Sequence, residues 1–206
     1  MISSDNKSHW ENVYETKNPD QVSWTQKKPQ TSLDFIRSSG LGKDASIIDI
    51  GGGDSNLVDF LLEEGYKNIT VLDISAKALE KAQERLGESA HKVKWIATDI
   101  TAFEPTETYD IWHDRAAFHF LTTPEQISKY IDIAEKSVKN CLILGTFSKT
   151  VLRNAADWIF SSMTKGHYQK NLKEVLKKFS VLQKIIPHPL RRFRISFSVV
   201  LKNSNY

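Results

Sequence analysis

The run Gly51-Gly52-Gly53 and three aspartates, Asp49, Asp73 and Asp99, have the types and spacing to hold a ligand that donates hydrogen bonds. The glycines follow the β-branched run Ser46–Ile50 and precede Leu57, Val58, Leu61 and Leu62 at the spacing of one helix face. A strand that enters a helix through bare glycines exposes backbone to a ligand. A dinucleotide, a nucleoside triphosphate and another adenosine-containing cofactor would each suit such a turn. The dinucleotide fingerprint requires a further glycine three positions after Gly53, where this chain has Asn56. A phosphate loop ends in Gly-Lys-Ser/Thr, and that ending is absent here. Asp54 stands where a pyrophosphate would meet the helix N-terminus, and its charge opposes one. A cofactor with a protonated amino group and no phosphate fits better.

Asp49 closes the first predicted strand beside the glycine turn. Asp73 closes the second, where a carboxylate can accept both hydroxyls of a ribose. Asp99 follows the third, in WIATDI, where a carboxylate can accept the exocyclic amino group of adenine. Acids ending three successive strands share the sheet edge at which α/β folds bind ligands. The set predicts an adenosyl cofactor, with Asp49, Gly51, Gly53, Asp73, Asp99 and the neighbouring Ile74 and Ile100 in its site.

These residues need a scaffold, and the pattern supplies one. Residues 9–17 read as a short helix presenting Trp10, Val13 and Tyr14, and a second helix follows Pro29 through Leu33, Phe35 and Ile36. Strands at 46–50, 69–74, 93–98, 109–113 and 141–147 alternate with helices at 55–64, 75–86 and 124–138, the last opened by Thr123-Pro124 as cap and first-turn proline. This alternation predicts an α/β fold: a doubly wound, mainly parallel sheet with helices on both faces. Beyond Phe147 the rhythm breaks, with helix or lid at 151–164 and helix at 172–179. Two strands at 181–186 and 193–202 follow, joined by a Pro-His-Pro loop too short for a parallel crossover, so the last strand should run antiparallel. The expected organisation is a single domain over 1–206: N-terminal cap helices at 1–40, a cofactor-binding core at 41–147, and a substrate region with the final strands at 148–206.

With 206 residues, 40% hydrophobic and 26% charged, the chain has the composition of an ordinary soluble globular protein. No apolar run approaches the ~20 residues needed to span a bilayer, and the N-terminus lacks the apolar core of a signal peptide. The single Cys141 excludes an internal disulfide and a cysteine-rich metal site, and no metal is expected. A cytoplasmic location follows from these features as the expectation. The net charge of +3 hides an asymmetry: residues 165–206 carry ten Lys and Arg against Glu174 alone, which leaves the remainder net acidic. Such a basic end is either a solvated face or an attractor for anionic partners, nucleic acid included.

IIDIGGGDS, VLDIS and KWIATDI resemble the successive motifs of class I S-adenosylmethionine-dependent methyltransferases. HWENVYETKNPDQVSW and DIWHDRAAFHFLT are similar to segments of a group of small bacterial members with an N-terminal W-x-x-V-Y…V-S-W segment. The resemblance covers 9–147 and implies S-adenosylmethionine as cofactor, a seven-stranded sheet with its last strand antiparallel, and an acceptor site after the fourth strand. There HDRAAFHF offers His113 as a general base and Arg115 as an anchor for an acidic acceptor, with Asp114 and His119 as further candidates. Asp114 paired with Arg115 would simply orient the loop, and His119 between Phe118 and Phe120 would simply pack. Trp10, Tyr14 and Trp24 would either staple the N-terminal helix to the core or form an aromatic cap that dries the sulfonium. The acceptor is expected to be a small molecule, with RNA or protein methylation through the basic end as the alternative. A nicotinamide-dependent oxidoreductase is a more distant alternative.

Overall fold

The structure is a computed structural model that describes residues 2–17, 25–115, 117–147, 181–182 and 195–201, with side chains only between 6 and 145. Its elements in chain order are α1 (Ile2–Thr16), α2 (Gln30–Ser38), β1 (Ser46–Ile50), α3 (Leu57–Glu63), β2 (Asn68–Asp73), α4 (Ala76–Leu86), β3 (Val93–Ala97), β4 (Tyr109–Arg115), α5 (Pro124–Ser137), β5 (Val138–Phe147), β6 (Val181–Leu182) and β7 (Ile195–Leu201). They form one sheet in the order β3-β2-β1-β4-β5-β7-β6. Strands β1 to β5 are mutually parallel, and β7 runs antiparallel to both β5 and β6. The chain reverses direction across the sheet at β1, which lies between β2 and β4. That is the switch point where the loops after two neighbouring strands diverge and leave a crevice.

The side-chain alternation of β1 and β4 explains why both sheet faces are covered. Ile48, Ile50, Trp112, Leu142 and Leu144 face α5, packing with Ile127, Tyr130, Ile131 and Ala134. Ile47, Ile111, Cys141 and Ile143 face the other way, against Leu33 and Ile36 of α2, Leu57, Val58 and Leu61 of α3, and Leu79 of α4. Burial pushes the Cys141 thiol up to about 11, so it stays protonated and packs as a small hydrophobe. α4 is capped by Ser75, whose hydroxyl accepts from Ala78 N. α5 carries a full capping box between Thr123 and Gln126, as the Thr123-Pro124 pair leads one to expect.

Two boundaries differ from the sequence reading. α1 spans 15 residues rather than a short stretch from residue 9, because Asn6, Lys7 and Ser8 show no apolar period that would announce a helix. β4 continues to Arg115 instead of ending at His113, so the HDR triplet lies on a strand and not on a loop. Alternation then separates its members. Trp112 and Asp114 point to the α5 face, and His113 and Arg115 to the other.

Asp114 is fully buried and organises the turn that follows β4, though not in the way expected from its neighbour Arg115. Its carboxylate accepts from Ala117 N at 2.8 Å, from Phe118 N at 3.1 Å and from the Tyr130 hydroxyl at 2.8 Å, and that hydroxyl accepts from Trp112 Nε1 at 3.0 Å. Burial lifts the Asp114 carboxyl to about 6, and these donors oppose the rise. Tyr130→Phe removes the hydroxyl that joins an indole N–H to a buried carboxylate. It should cost about 2 kcal/mol of stability in urea unfolding without a change in m-value. A loss below about 0.5 kcal/mol would mean that water substitutes for the hydroxyl.

Candidate functional site

The carboxyl ends of β1 to β4 and the face of α1 enclose one cleft. Of the residues singled out from sequence, Asp49, Gly51, Asp73, Ile74, Asp99, Ile100, His113 and Arg115 line it. Gly53 lies against the Asp73 carboxylate, and Trp24 falls outside the described residues, as does the stretch 148–180.

The glycine turn is shaped by contact and not by flexibility. Gly51 has φ +64°, and a Cβ there would stand 2.6 Å from the Ala117 Cβ. A Cβ on Gly53, at φ +44°, would stand 2.9 Å from both the Asp73 carboxylate and the Tyr14 hydroxyl. The backbone amides of the turn are already committed. Gly51 N and Gly52 N donate to Leu72 O at 2.7 and 3.2 Å, and the Gly53 amide bonds the Asp73 carboxylate. A turn whose amides point into the protein cannot cradle a phosphate. It approaches a ligand with carbonyls and carboxylates, which suit amino and hydroxyl groups. Asp54 adds to this negative edge while its carboxylate pairs with Arg85, which also bonds Asp59 at 2.9 Å.

Each acid has a separate restraint. Asp73 accepts from Ser75 N at 2.8 Å; burial, with Asp49 and Glu11 adding their repulsion, raises its carboxyl to about 7. Asp99 accepts from Thr101 N and Oγ1, both at 2.8 Å, and caps the short 3-10 turn Ile100–Ala102. Asp49 and His113 are direct partners in the β1–β4 register, and Asp49 Oδ1 lies 2.7 Å from His113 Nδ1. The other ring nitrogen, Nε2, lies 2.9 Å from the Ser32 hydroxyl of α2. Both nitrogens of His113 therefore have protein partners, and the ring is buried. Arg115, one turn of the pleat further, sits where desolvation lowers its pKa and the nearby Asp49 and Tyr14 oppose that fall. His119 is buried in the 3-10 turn after β4, and burial lowers its pKa to about 4, which keeps it neutral.

α1 roofs the cleft with Trp10, Val13 and Tyr14, residues spaced along one helix face, and Lys17 follows just past its end. Two contacts pin it. Trp10 meets Phe120 edge-on with ring centroids 4.9 Å apart, and Glu11 accepts from Ser75 Oγ, Ala76 N and Lys77 N at 2.9, 2.9 and 3.2 Å. Burial alone would raise the Glu11 pKa, but these donors outweigh it and hold the carboxyl below its ordinary value. Sequence reasoning missed Glu11. The only signal was that the first turn of α4 contains no acid of its own to meet the helix N-terminus.

The sequence profile of a family described as "Methyltransferase domain" matches residues 47–141, which span β1 to the start of β5. Curated proteins provide no sequence match. Solved structures share the fold at low identity. Magnesium protoporphyrin IX methyltransferase from Synechocystis, with bound S-adenosylmethionine, superposes with a TM-score of 0.69 at 17% identity over 96% of this chain and 97% of that one. The N-methyltransferase NodS from Bradyrhizobium japonicum, with S-adenosylhomocysteine, gives 0.71 at 16% identity over 95% and 97%. The methyltransferase domain of bacterial CtHen1-C gives 0.66 at 18% identity over 85% and 96%. No helix among the described residues is long and apolar enough to cross a membrane.

Proposed function

Starting from a methyltransferase domain that works with S-adenosylmethionine, we propose that this chain methylates a small molecule bearing an anionic group, which Arg115 holds beside the reacting centre. When bound, S-adenosylmethionine supplies an electrophilic methyl group on a sulfonium. The carboxylates divide its polar parts among them: Asp49 takes the ammonium, Asp73 the ribose hydroxyls and Asp99 the adenine amino group. The observation that carries this assignment is the inward direction of the glycine amides, which leaves carboxylates as the ligand-facing polar groups of the turn. Ile74 and Ile100 stand next to Asp73 and Asp99 in the same cleft and offer apolar surface to the adenine ring.

Methyl transfer asks the protein mainly to align two reactants and exclude water, an effect that can supply ~7–11 kcal/mol. Trp10 and Tyr14 on the roof perform the exclusion, and aromatic faces also suit a cationic sulfonium. Arg115 is a cation held in a poorly solvated cleft, a setting that favours a bidentate carboxylate or phosphate over a neutral acceptor. The fold's occurrence in a methyltransferase named for magnesium protoporphyrin IX supports a small-molecule acceptor. His113, read from sequence as a general base, has both ring nitrogens engaged within the protein, and we assign it a positioning role instead.

Asp73→Ala should weaken S-adenosylhomocysteine binding by about 2–4 kcal/mol, because two ribose hydroxyls lose a charged acceptor in a buried site. Calorimetric titration checks this, and a folded variant with wild-type affinity would remove Asp73 from the site. Acceptors are sought by following labelled methyl groups from S-adenosylmethionine into metabolite and macromolecule fractions. With the labelled acceptor in hand, Arg115→Ala should raise its KM about 10- to 100-fold while cofactor affinity changes less than about twofold. Label found only in RNA or protein, with activity that collapses steeply as salt rises, would overturn the small-molecule reading in favour of the basic end.

A further inference from the structure

We propose that Ser32 is a positioning residue for cofactor binding: through His113 it fixes the carboxylate of Asp49 in the orientation that receives the cofactor's ammonium group. The proposal rests on the assignment of Asp49 to that ammonium. Three elements meet here: Ser32 comes from α2, His113 from β4 and Asp49 from β1. The links measure 2.9 Å from Ser32 Oγ to His113 Nε2 and 2.7 Å from His113 Nδ1 to Asp49 Oδ1. Relative exposures are 1%, 1% and 4%, so the chain of bonds is buried, with Ser32 away from the cleft and His113 and Asp49 at its wall.

The same three residue types in this order activate a nucleophile in hydrolases. That use is closed here, because Ser32 is buried on the inner face of α2, where no substrate reaches its hydroxyl. What remains is orientation. A carboxylate acceptor requires N–H at Nδ1, and the Ser32 hydroxyl, able to donate or accept, engages Nε2. Ser32 and Asp49 hold the ring by its two nitrogens, so Nδ1 stays aimed at the Asp49 carboxylate.

The position of the free oxygen supports the same role. With Oδ1 held by His113, Asp49 Oδ2 lies against the glycine turn, so close that a Cβ on Gly52 would stand 2.7 Å from it. The carboxylate is thus clamped between an imidazole and a bare glycine, with no rotational freedom to lose when the ligand arrives. Gly52 is the one glycine of the three whose φ any residue could adopt, and the carboxylate together with Val71 Cγ1, also 2.7 Å from such a Cβ, leaves no room for a side chain there.

The test separates this role from general damage by using two ligands. S-adenosylhomocysteine carries the amino group, and 5′-methylthioadenosine shares the adenosine and sulfur but lacks it. Ser32→Ala should weaken S-adenosylhomocysteine about 3- to 10-fold and His113→Leu about 10- to 100-fold. His113→Asn, which keeps a donor at the Nδ1 position, should restore affinity to within about threefold of wild type. All three variants should bind 5′-methylthioadenosine as the wild-type protein does, within about twofold. Equal losses for the two ligands, no loss in Ser32→Ala, or no rescue in a folded His113→Asn protein would overturn the proposal. If His113→Leu fails to fold, the Ser32→Ala and His113→Asn titrations decide the matter. Wild-type protein that binds 5′-methylthioadenosine and S-adenosylhomocysteine equally well would instead strike at the assignment of Asp49 on which the proposal rests.

Discussion

The parallel register of β1 between β2 and β4 is the constraint on which the rest of this structure depends. It sets Asp49 opposite Val71 on one side and His113 on the other. In a sheet with period-two alternation, a slip of one residue would turn Asp49 into the α5 face and place Ile48 or Ile50 toward α2. The hydrophobic faces forbid that slip, since every isoleucine of β1 already has its partners. The apolar code of the strand thus fixes where its single carboxylate points. Function at the crevice is a consequence of packing several ångströms away.

A second consequence is electrostatic. Placing Asp49, Asp73 and Asp99 along one edge, with Glu11 above them, gathers negative charge in a poorly solvated place. Asp73 registers the cost most clearly, since its carboxyl is raised to about 7 by burial and by its acidic neighbours. An acid whose folded pKa exceeds its unfolded value gives its most favourable contribution to stability below the unfolded pKa. That contribution declines as pH rises toward the folded pKa and then levels off. Near neutral pH Asp73 therefore repels Asp49 and Glu11 across the cleft. A ligand with an ammonium, hydroxyls and an amino group relieves that repulsion, so part of the binding energy was stored in the fold.

Much of this was legible in the sequence. The β-branched run before Gly51, the acids that end the first three strands and the Thr123-Pro124 cap are local signals, and local physics reads them correctly. The failures share a different origin. Glu11 caps a helix more than sixty residues away in sequence, and Ser32 reaches a histidine eighty-one residues on. Neither pairing has a local signature. The placement of the HDR triplet was misread for a related reason: taken as loop, all three side chains lie together, whereas two further residues of strand send them to opposite faces. The sequence also underestimated α1, whose first two turns lack the apolar stripe that its second half lays over the cleft.

The central claim is that a row of cleft-lining carboxylates, two of them buried, and not a phosphate cradle, forms the cofactor site. The most direct measurement is calorimetric titration of S-adenosylhomocysteine near pH 6.5 in buffers of different ionisation enthalpy, which counts protons exchanged on binding. Asp73 is largely protonated there, with its pKa at about 7, and must ionise to accept hydroxyls in its charged form. The account predicts release of a sizeable fraction of a proton per ligand bound, fading above pH 8, with affinity that rises through neutrality. Proton uptake at pH 6.5, or affinity for NAD(H) in place of S-adenosylhomocysteine, would contradict it.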